Sequence, residues 1–227
     1  MDDRERMVKE IKERYNLDAP EVISVMLQVP RDKFVAKKYR DIAFEDRPVS
    51  IGYGQTMSQP YTVAFMTNLL ISHGRPHFAK AARGKKVLEV GTGSGYQAAI
   101  LSHLFKKVYT IEIIRQLADR AQKRLKKLGY KNVNVRQGSG EWGWEEEAPF
   151  DAIMVTAGIE KDIPEALIDQ LKEGGVLVVP IGEGSDKVMT KFTKGKAAGP
   201  EASGPEGKIK SQKYGIFNFV PFVSESN

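Results

Sequence analysis

Lys86-Val-Leu-Glu-Val-Gly-Thr-Gly-Ser-Gly95 is the stretch on which the fold turns. A short apolar run, 87–90, ends in glycines at alternate positions, and a helical stretch follows over 96–105. Gly91, Gly93 and Gly95 let the backbone turn tightly and approach a ligand that a Cβ would push away. Strand, glycine turn and helix in that order open a βαβ unit.

On its C-terminal side the same alternation continues to Pro180. Further strands are predicted at 108–111, 133–136, 152–156 and 176–179, with helices at 114–128 and 164–171 between them. Short apolar strands alternating with helices give a parallel sheet covered on both faces. Right-handed crossovers make it doubly wound. Two more strands, 188–193 and 216–223, are predicted to add a C-terminal antiparallel hairpin, for a mostly parallel seven-stranded α/β sheet. The stretch 194–213 between them, rich in Gly, Pro, Ala and Lys, reads as a mobile tip.

On the N-terminal side the pattern is helical. Met7, Val8, Ile11 and Tyr15 share one face, with Asp2 and Asp3 as cap candidates. A second helix starts at Pro20 and stops at Pro30, and a third opens at Pro60 with Val63, Met66, Thr67 and Leu70. Between the last two, over 44–59, Pro48, Gly52 and Gly54 break the pattern. That stretch reads as a loop rich in small polar residues, either a connector or a substrate-handling loop. Three parts are thus expected: helices and loop over 1–83, a ligand-binding core over 84–182, and C-terminal strands over 183–227 that complete the same sheet.

Composition narrows the chemistry. The 227 residues, 41% apolar and 28% charged, have the balance of a soluble globular protein. There is no cysteine, which removes disulfide frameworks, thiolate metal sites and cysteine nucleophiles. His73, His77 and His103 lack metal-ligand spacing, and no metal is expected. The start, Met1 to Glu5, lacks the basic and apolar regions of a signal peptide, and no apolar run reaches the roughly 18 residues of a membrane span. A cytoplasmic protein without a membrane partner is expected. The net charge of +6 raises nucleic acid as a partner. Half of that excess sits around the C-terminal hairpin, on Lys187, Lys191, Lys194, Lys196, Lys208, Lys210 and Lys213, so a solvated surface is the better reading. No nucleic acid is expected, and a monomer is.

The glycine spacing discriminates between nucleotide-binding classes. In the dinucleotide fingerprint the third glycine falls where this chain has Tyr96. The shorter G-x-G-x-G, with Glu89 two residues before it, resembles motif I of the class I S-adenosylmethionine methyltransferases. Glu112, at the end of the second predicted strand, is placed to accept hydrogen bonds from both ribose hydroxyls. After the fourth predicted strand stands Val155-Thr156-Ala157-Gly158, where amino-methylating enzymes resemble one another in an Asp/Asn-Pro-Pro-aromatic motif.

Gly54-Gln-Thr-Met-Ser-Gln-Pro-Tyr61 resembles the signature of protein-L-isoaspartate (D-aspartate) O-methyltransferases. Further stretches match in order: Val29-Pro-Arg-Asp-Lys-Phe34, Leu88 to Tyr96, Ala148 to Ala152, Val155 to Gly158, Ile163 to Leu171, Val179-Pro-Ile-Gly182 and Phe219-Val-Pro-Phe222. The resemblance covers nearly the whole chain. It implies methyl transfer from S-adenosylmethionine, leaving S-adenosylhomocysteine, to the α-carboxyl of isoaspartyl residues in damaged proteins and peptides. Whether D-aspartyl residues are also accepted stays open. By resemblance Ser58 is the catalytic residue, donating a hydrogen bond to the acceptor carboxylate; from local sequence alone it would cap the helix at Pro60. Gln55, Thr56, Gln59, Tyr61, Val220 and Pro221 are implied on the substrate side. Met57, Glu89, Gly91, Thr92, Gly93, Gly95, Glu112, Ile113, Ser139 and Gly140 are implied around the cofactor. One departure stands out. The family usually carries Gly-Asp-Gly where this chain has Gly138-Ser-Gly140, which predicts weaker discrimination of adenine. Trp142 and Trp144 either cover the adenine or pack in the core. The rival readings are another class I methyltransferase, acting on RNA or a small molecule, and a cofactor-binding homologue without activity.

Overall fold

A computed structural model of the chain describes residues 1–72, 85–195 and 209–223. Helices α1 (Asp3–Tyr15) and α2 (Pro20–Gln28) come first, followed by 3₁₀ turns at Arg31–Phe34 and Lys37–Ile42. Strands β1 (Val49–Gly52) and β2 (Gln55–Met57) then lead into α3 (Pro60–Ile71). The core follows as β3 (Lys86–Val90), α4 (Tyr96–Leu104), β4 (Lys107–Glu112), α5 (Arg115–Lys127), β5 (Val133–Gln137) and β6 (Phe150–Val155). Then come α6 (Glu165–Asp169), β7 (Leu171–Ile181), β8 (Asp186–Lys194) and β9 (Ile209–Asn218).

Local chemistry explains the element ends. Asp2 and Glu5 form a capping box on α1, each side chain accepting the other's backbone N–H at 2.8 Å. Pro20 and Pro60 occupy first helical positions, where a missing N–H costs no hydrogen bond. Gly129 takes a positive φ of 86° just past the end of α5.

The seven strands run in the order β5-β4-β3-β6-β7-β8-β9. The five strands from β5 to β7 in that order run parallel to one another, and β8 and β9 extend the sheet from β7 as an antiparallel meander. Both faces are covered, as the strand pattern predicts. Along β3, Val87 joins the apolar cluster that includes α1 to α4, while Leu88 and Val90 join the one beneath α6. Alternate residues of one strand thus enter two cores, which a parallel sheet requires.

The structure corrects the sequence reading in three places. The stretch over 44–59 holds a hairpin rather than only a loop: β1 and β2 pair antiparallel, Val49 with Met57 and Ser50 with Thr56. Strand β9 begins at Ile209, so 209–213 belong to the sheet and not to a mobile tip; Thr190 pairs with Lys213 and Lys194 with Ile209. Residues 196–208 lie outside the described residues, as do His73 and His77. Finally, three of the hairpin lysines are buried or half-buried rather than freely solvated. Lys187 and Lys191 are buried, donating to the carbonyls of Gly182 and Ser72. Lys194 donates to those of Ile168, Asp169 and Leu171 at 2.9 to 3.1 Å. These cations satisfy the orphan carbonyls of loop and helix ends. Among the described residues no helix is long and apolar enough to cross a membrane.

Candidate active site

A cleft opens at the carboxyl ends of β3, β4 and β6, where the strand order reverses direction on either side of β3. Open α/β sheets bind ligands at that point. Its floor is the glycine turn. The N–H groups of Gly91 and Thr92 donate to the Ile111 carbonyl at 2.8 and 3.1 Å. Thr156, one residue past β6, donates its hydroxyl to the Gly91 carbonyl at 2.7 Å. A Cβ at Gly91 would stand 2.4 Å from that hydroxyl oxygen, so side-chain packing across the switch point requires the glycine. Gly93 sits at φ 51°, and a Cβ there would press on Ile51 of the β1–β2 hairpin at 3.2 Å. Gly95 lies against Leu125 of α5 and does not line the cleft.

Glu112 ends β4 on the cleft wall. One carboxylate oxygen accepts the Gly93 N–H at 2.7 Å and the other the Ile114 N–H at 3.0 Å. Burial pushes its pKa up, and the N–H groups of Ile114, Gly93 and Ile113 pull the other way. Each oxygen retains acceptor capacity, which suits a vicinal diol.

Glu89 is placed differently. It is fully buried and does not line the cleft. Thr110 donates to it at 2.6 Å, and the Thr110 and Thr92 hydroxyls lie 2.6 Å apart. Its other oxygen has no partner. Burial pushes its pKa up to about 8, against the Thr110 hydrogen bond, and the Glu112 charge adds to the rise. At neutral pH Glu89 is mostly protonated. It supports the glycine turn through two hydroxyls rather than facing a ligand.

The opposite wall comes from remote segments. The β1–β2 hairpin contributes Gln55, Thr56 and Met57, and Ser58 follows directly. At its tip Tyr53, at φ 56°, lies under the Arg120 guanidinium of α5, 5.3 Å from ring centroid to carbon. The final segment crosses the site because Gly158 N–H donates to the Val220 carbonyl at 2.8 Å and Phe222 N–H to the Gly158 carbonyl at 3.0 Å. Pro221 between them is not asked for a hydrogen bond it cannot give. Val220 and Pro221 thereby reach the cleft.

Ser58 does not cap α3: the N-cap is Gln59, whose side chain makes no cap bond, and the free N–H of Tyr61 in the first turn goes to the Asp46 carboxylate instead. Its carbonyl is held by the Arg31 guanidinium at 2.7 Å. Thr56, Ser58, Thr156 and Val220 line this cleft and also a second, adjoining one. The second is walled by Tyr15, Gln59, Tyr61 and residues 216–219.

Of the residues singled out in the sequence, the first cleft gathers Gln55, Thr56, Met57, Ser58, Gly91, Thr92, Gly93, Glu112, Ile113, Gly140, Val220 and Pro221. Gln59 and Tyr61 line only the second, tied to Asp46. The Gln59 amide donates to the Asp46 carboxylate at 2.8 Å, and the Tyr61 N–H does so at 2.9 Å. Tyr61 also stacks on Tyr15, with centroids 3.7 Å apart. Ser139 is buried, and its hydroxyl donates to Glu141 at 3.0 Å; it does not line the cleft. Trp142 is exposed, while Trp144 packs edge-on to Tyr109; neither lines the cleft. Thr156, Ala157 and Arg31 carry no role in the sequence reading. The available signal for the first two was their position after the strand next to β3.

An open sheet with a glycine turn at its switch point, a pinned carboxylate on the neighbouring strand and an adjoining second cleft defines an S-adenosylmethionine-dependent methyltransferase. The sequence model for Protein-L-isoaspartate(D-aspartate) O-methyltransferase matches residues 2–226, and the chain belongs to that family. A protein-L-isoaspartate O-methyltransferase of Gloeobacter violaceus is 44% identical over 96% of this chain and 98% of its own length. That of Dictyoglomus turgidum is 43% identical over 98% and 92%. Among solved structures, a Plasmodium falciparum protein titled a putative protein-L-isoaspartate O-methyltransferase in complex with S-adenosyl-L-homocysteine superposes with a TM-score of 0.79. It is 26% identical over 98% of this chain and 99% of that one. A further protein-L-isoaspartate O-methyltransferase structure has a TM-score of 0.78 at 27% identity; the match covers 96% of this chain and 65% of that chain's length.

Proposed function

We propose that this chain transfers the methyl group of S-adenosylmethionine to the α-carboxyl of L-isoaspartyl residues in damaged proteins and peptides. The backbone nitrogen of the following residue then attacks the methyl ester and expels methanol, closing a succinimide that water can open to the normal aspartyl linkage. The observation that carries the reading is the meeting of two clefts at Ser58, Thr56, Thr156 and Val220. One is furnished for a nucleoside-bearing donor; the other is open to a polypeptide.

The residues present fit the donor. Gly91, Thr92 and Gly93 offer a closely approachable backbone, Glu112 suits the ribose hydroxyls, and Met57, Ile113 and Gly140 complete the surrounding wall. When bound, S-adenosylmethionine supplies an electrophilic methyl group activated by the positive charge on its sulfur. The protein's task is alignment and exclusion of water. An α-carboxyl with an ordinary pKa of about 3.5 is ionised at neutral pH and needs no general base. Ser58 donates one hydrogen bond to that carboxylate, which orients it without removing its charge. Thr56 and Gln55 border the same space, and Val220 and Pro221 close it from the C-terminal side.

The test is methyl-labelled transfer to an isoaspartyl peptide and to its normal aspartyl twin. Labelling confined to the isoaspartyl peptide is the expected result. Equal labelling of both, or labelling of RNA alone, overturns the reading. A D-aspartyl peptide in the same assay measures how far the second acceptor in the family's description extends to this chain.

A further inference from the structure

Arg31 is the largest fully buried side chain of the described residues. Among the described residues no salt bridge includes it, and burial pushes its pKa down, with Tyr96 and Asp46 acting against the fall. Buried arginines without a carboxylate partner are rare, because desolvation of the charge is costly. A hydrocarbon would fill the space at lower cost, so the guanidinium is retained for what it holds.

It holds two carbonyls and a ring. Nε donates to the Ala43 carbonyl at 2.7 Å, and a terminal nitrogen donates to the Ser58 carbonyl at 2.7 Å. The guanidinium carbon lies 4.7 Å from the centroid of Tyr96, an attractive cation–π arrangement. Phe34, three residues along the same 3₁₀ turn, meets that ring edge-on at 5.5 Å. Tyr96 is the first residue of α4, directly after the glycine turn, and lines the donor cleft. Ser58 stands between β2 and α3, outside either element's hydrogen-bonded ladder. One side chain therefore links the backbone of the acceptor residue to the helix that starts the donor site.

We propose that Arg31 is a positioning residue that fixes Ser58 relative to the glycine turn and so sets the line between acceptor carboxylate and donor. The proposal rests on the reading of Ser58 given above. In-line transfer is sensitive to such placement, since a displacement of about 1 Å can cost on the order of 100-fold in rate.

The experiment is steady-state kinetics on an isoaspartyl peptide for the wild type, Arg31→Lys, Arg31→Met, Ser58→Ala and Arg31→Lys combined with Ser58→Ala. S-adenosylhomocysteine affinity by calorimetry and thermal unfolding accompany each variant. Arg31→Lys should lower kcat by about tenfold or more while S-adenosylhomocysteine affinity stays within about threefold. Arg31→Met should fall further, so the conservative change is a partial rescue. In the Arg31→Lys background, Ser58→Ala should cost less than about threefold, because an acceptor hydrogen bond already misplaced has little left to lose. Losses that multiply overturn the proposal, as does a wild-type kcat in Arg31→Lys with only a lowered melting temperature. A fall in cofactor affinity parallel to kcat also overturns it. Should Arg31→Met fail to fold, Arg31→Lys keeps charge, stem and one hydrogen bond and carries the test. If Ser58→Ala alone is fully active, the reading of Ser58 fails and takes this proposal with it. An inactive Ser58→Ala whose loss multiplies with that of Arg31→Lys removes only the role of Arg31.

Discussion

The glycine turn and the acceptor wall face each other across one cleft but are held by different means. On the donor side, the turn is held by its immediate neighbours in the sheet: Gly91 and Thr92 bond to the β4 backbone, Thr156 bonds to Gly91, and Glu112 accepts two N–H groups. The acceptor wall is assembled from segments far apart in the chain. Arg31 ties Ser58, Asp46 ties Gln59 and Tyr61, and Gly158 ties Val220. The donor side should therefore be most intolerant of atoms added within the glycine turn. On the acceptor side, removing one polar atom should be the damaging change.

Gly93→Val is the largest expected effect and probes the first half of that contrast. A β-branched residue is strained at φ 51°, and its Cβ meets Ile51 at 3.2 Å. Calorimetry with S-adenosylhomocysteine should show affinity lost by more than about 100-fold, the scale of a bulky residue forced into a left-handed position. Retained affinity would mean the turn and the hairpin give way, and the contrast between the two walls would fail.

Ser58→Ala comes next and probes the second half. A hydrogen bond to a charged acceptor contributes about 1.5–3 kcal/mol, so kcat on an isoaspartyl peptide should fall by about 10- to 100-fold. Cofactor affinity should stay within about twofold, because the hydroxyl addresses the acceptor. A matching loss of cofactor affinity would merge the two walls into one site.

The same contrast decides how much could be read from sequence. The donor side is local: strand, turn and helix are contiguous, and apolar alternation marks β3, β4 and β6 within a residue or two. Glu112 stands out because a carboxylate ends an otherwise apolar strand. Hairpin β1–β2 escaped because seven strand residues around Gly52, Tyr53 and Gly54 are too few to show a period. The start of β9 escaped because Lys210 to Lys213 lie on the sheet's outer strand, where polar residues are ordinary and resemble a loop. Asp46 had no local signal at all, and Arg31 had only its place in the matched stretch Val29 to Phe34, which says nothing of what it holds. Their partners are carbonyls, amides and rings brought near by tertiary folding, and a sequence pattern does not encode who accepts a hydrogen bond.

Glu89→Gln separates support of the donor floor from contact with the ligand. In the fold Glu89 keeps its proton up to about 8, whereas an unfolded glutamate loses it near 4.5. Between those values the folded state binds more protons than the unfolded one, so stability falls as pH rises through this window. The contribution is fully present below pH 4.5. Glutamine copies the neutral form, so the variant should lose this slope and melt several degrees above wild type near pH 8, on the order of a few kcal/mol. Thermal unfolding at pH 5 and pH 8 checks it. A variant destabilised equally at both values would show that the ionised carboxylate is the form the fold requires.

Ser139→Asp is the smallest expected effect and the sharpest test of where the donor wall ends. The family resemblance assigns this position to adenine, and on that view restoring aspartate should tighten S-adenosylhomocysteine binding about tenfold, one hydrogen bond to a charged group. The structure argues for less. Ser139 is buried off the cleft, and its hydroxyl donates to Glu141 at 3.0 Å; Gly140 is the residue that reaches the cleft wall. An aspartate there loses the donor and places a second carboxylate beside Glu141, an unfavourable like-charge pair. The expected change in affinity by calorimetry is under about threefold, with a slightly lower melting temperature from the new repulsion. A tenfold gain would extend the donor wall to position 139 and show that a side chain there, not backbone alone, reads the base.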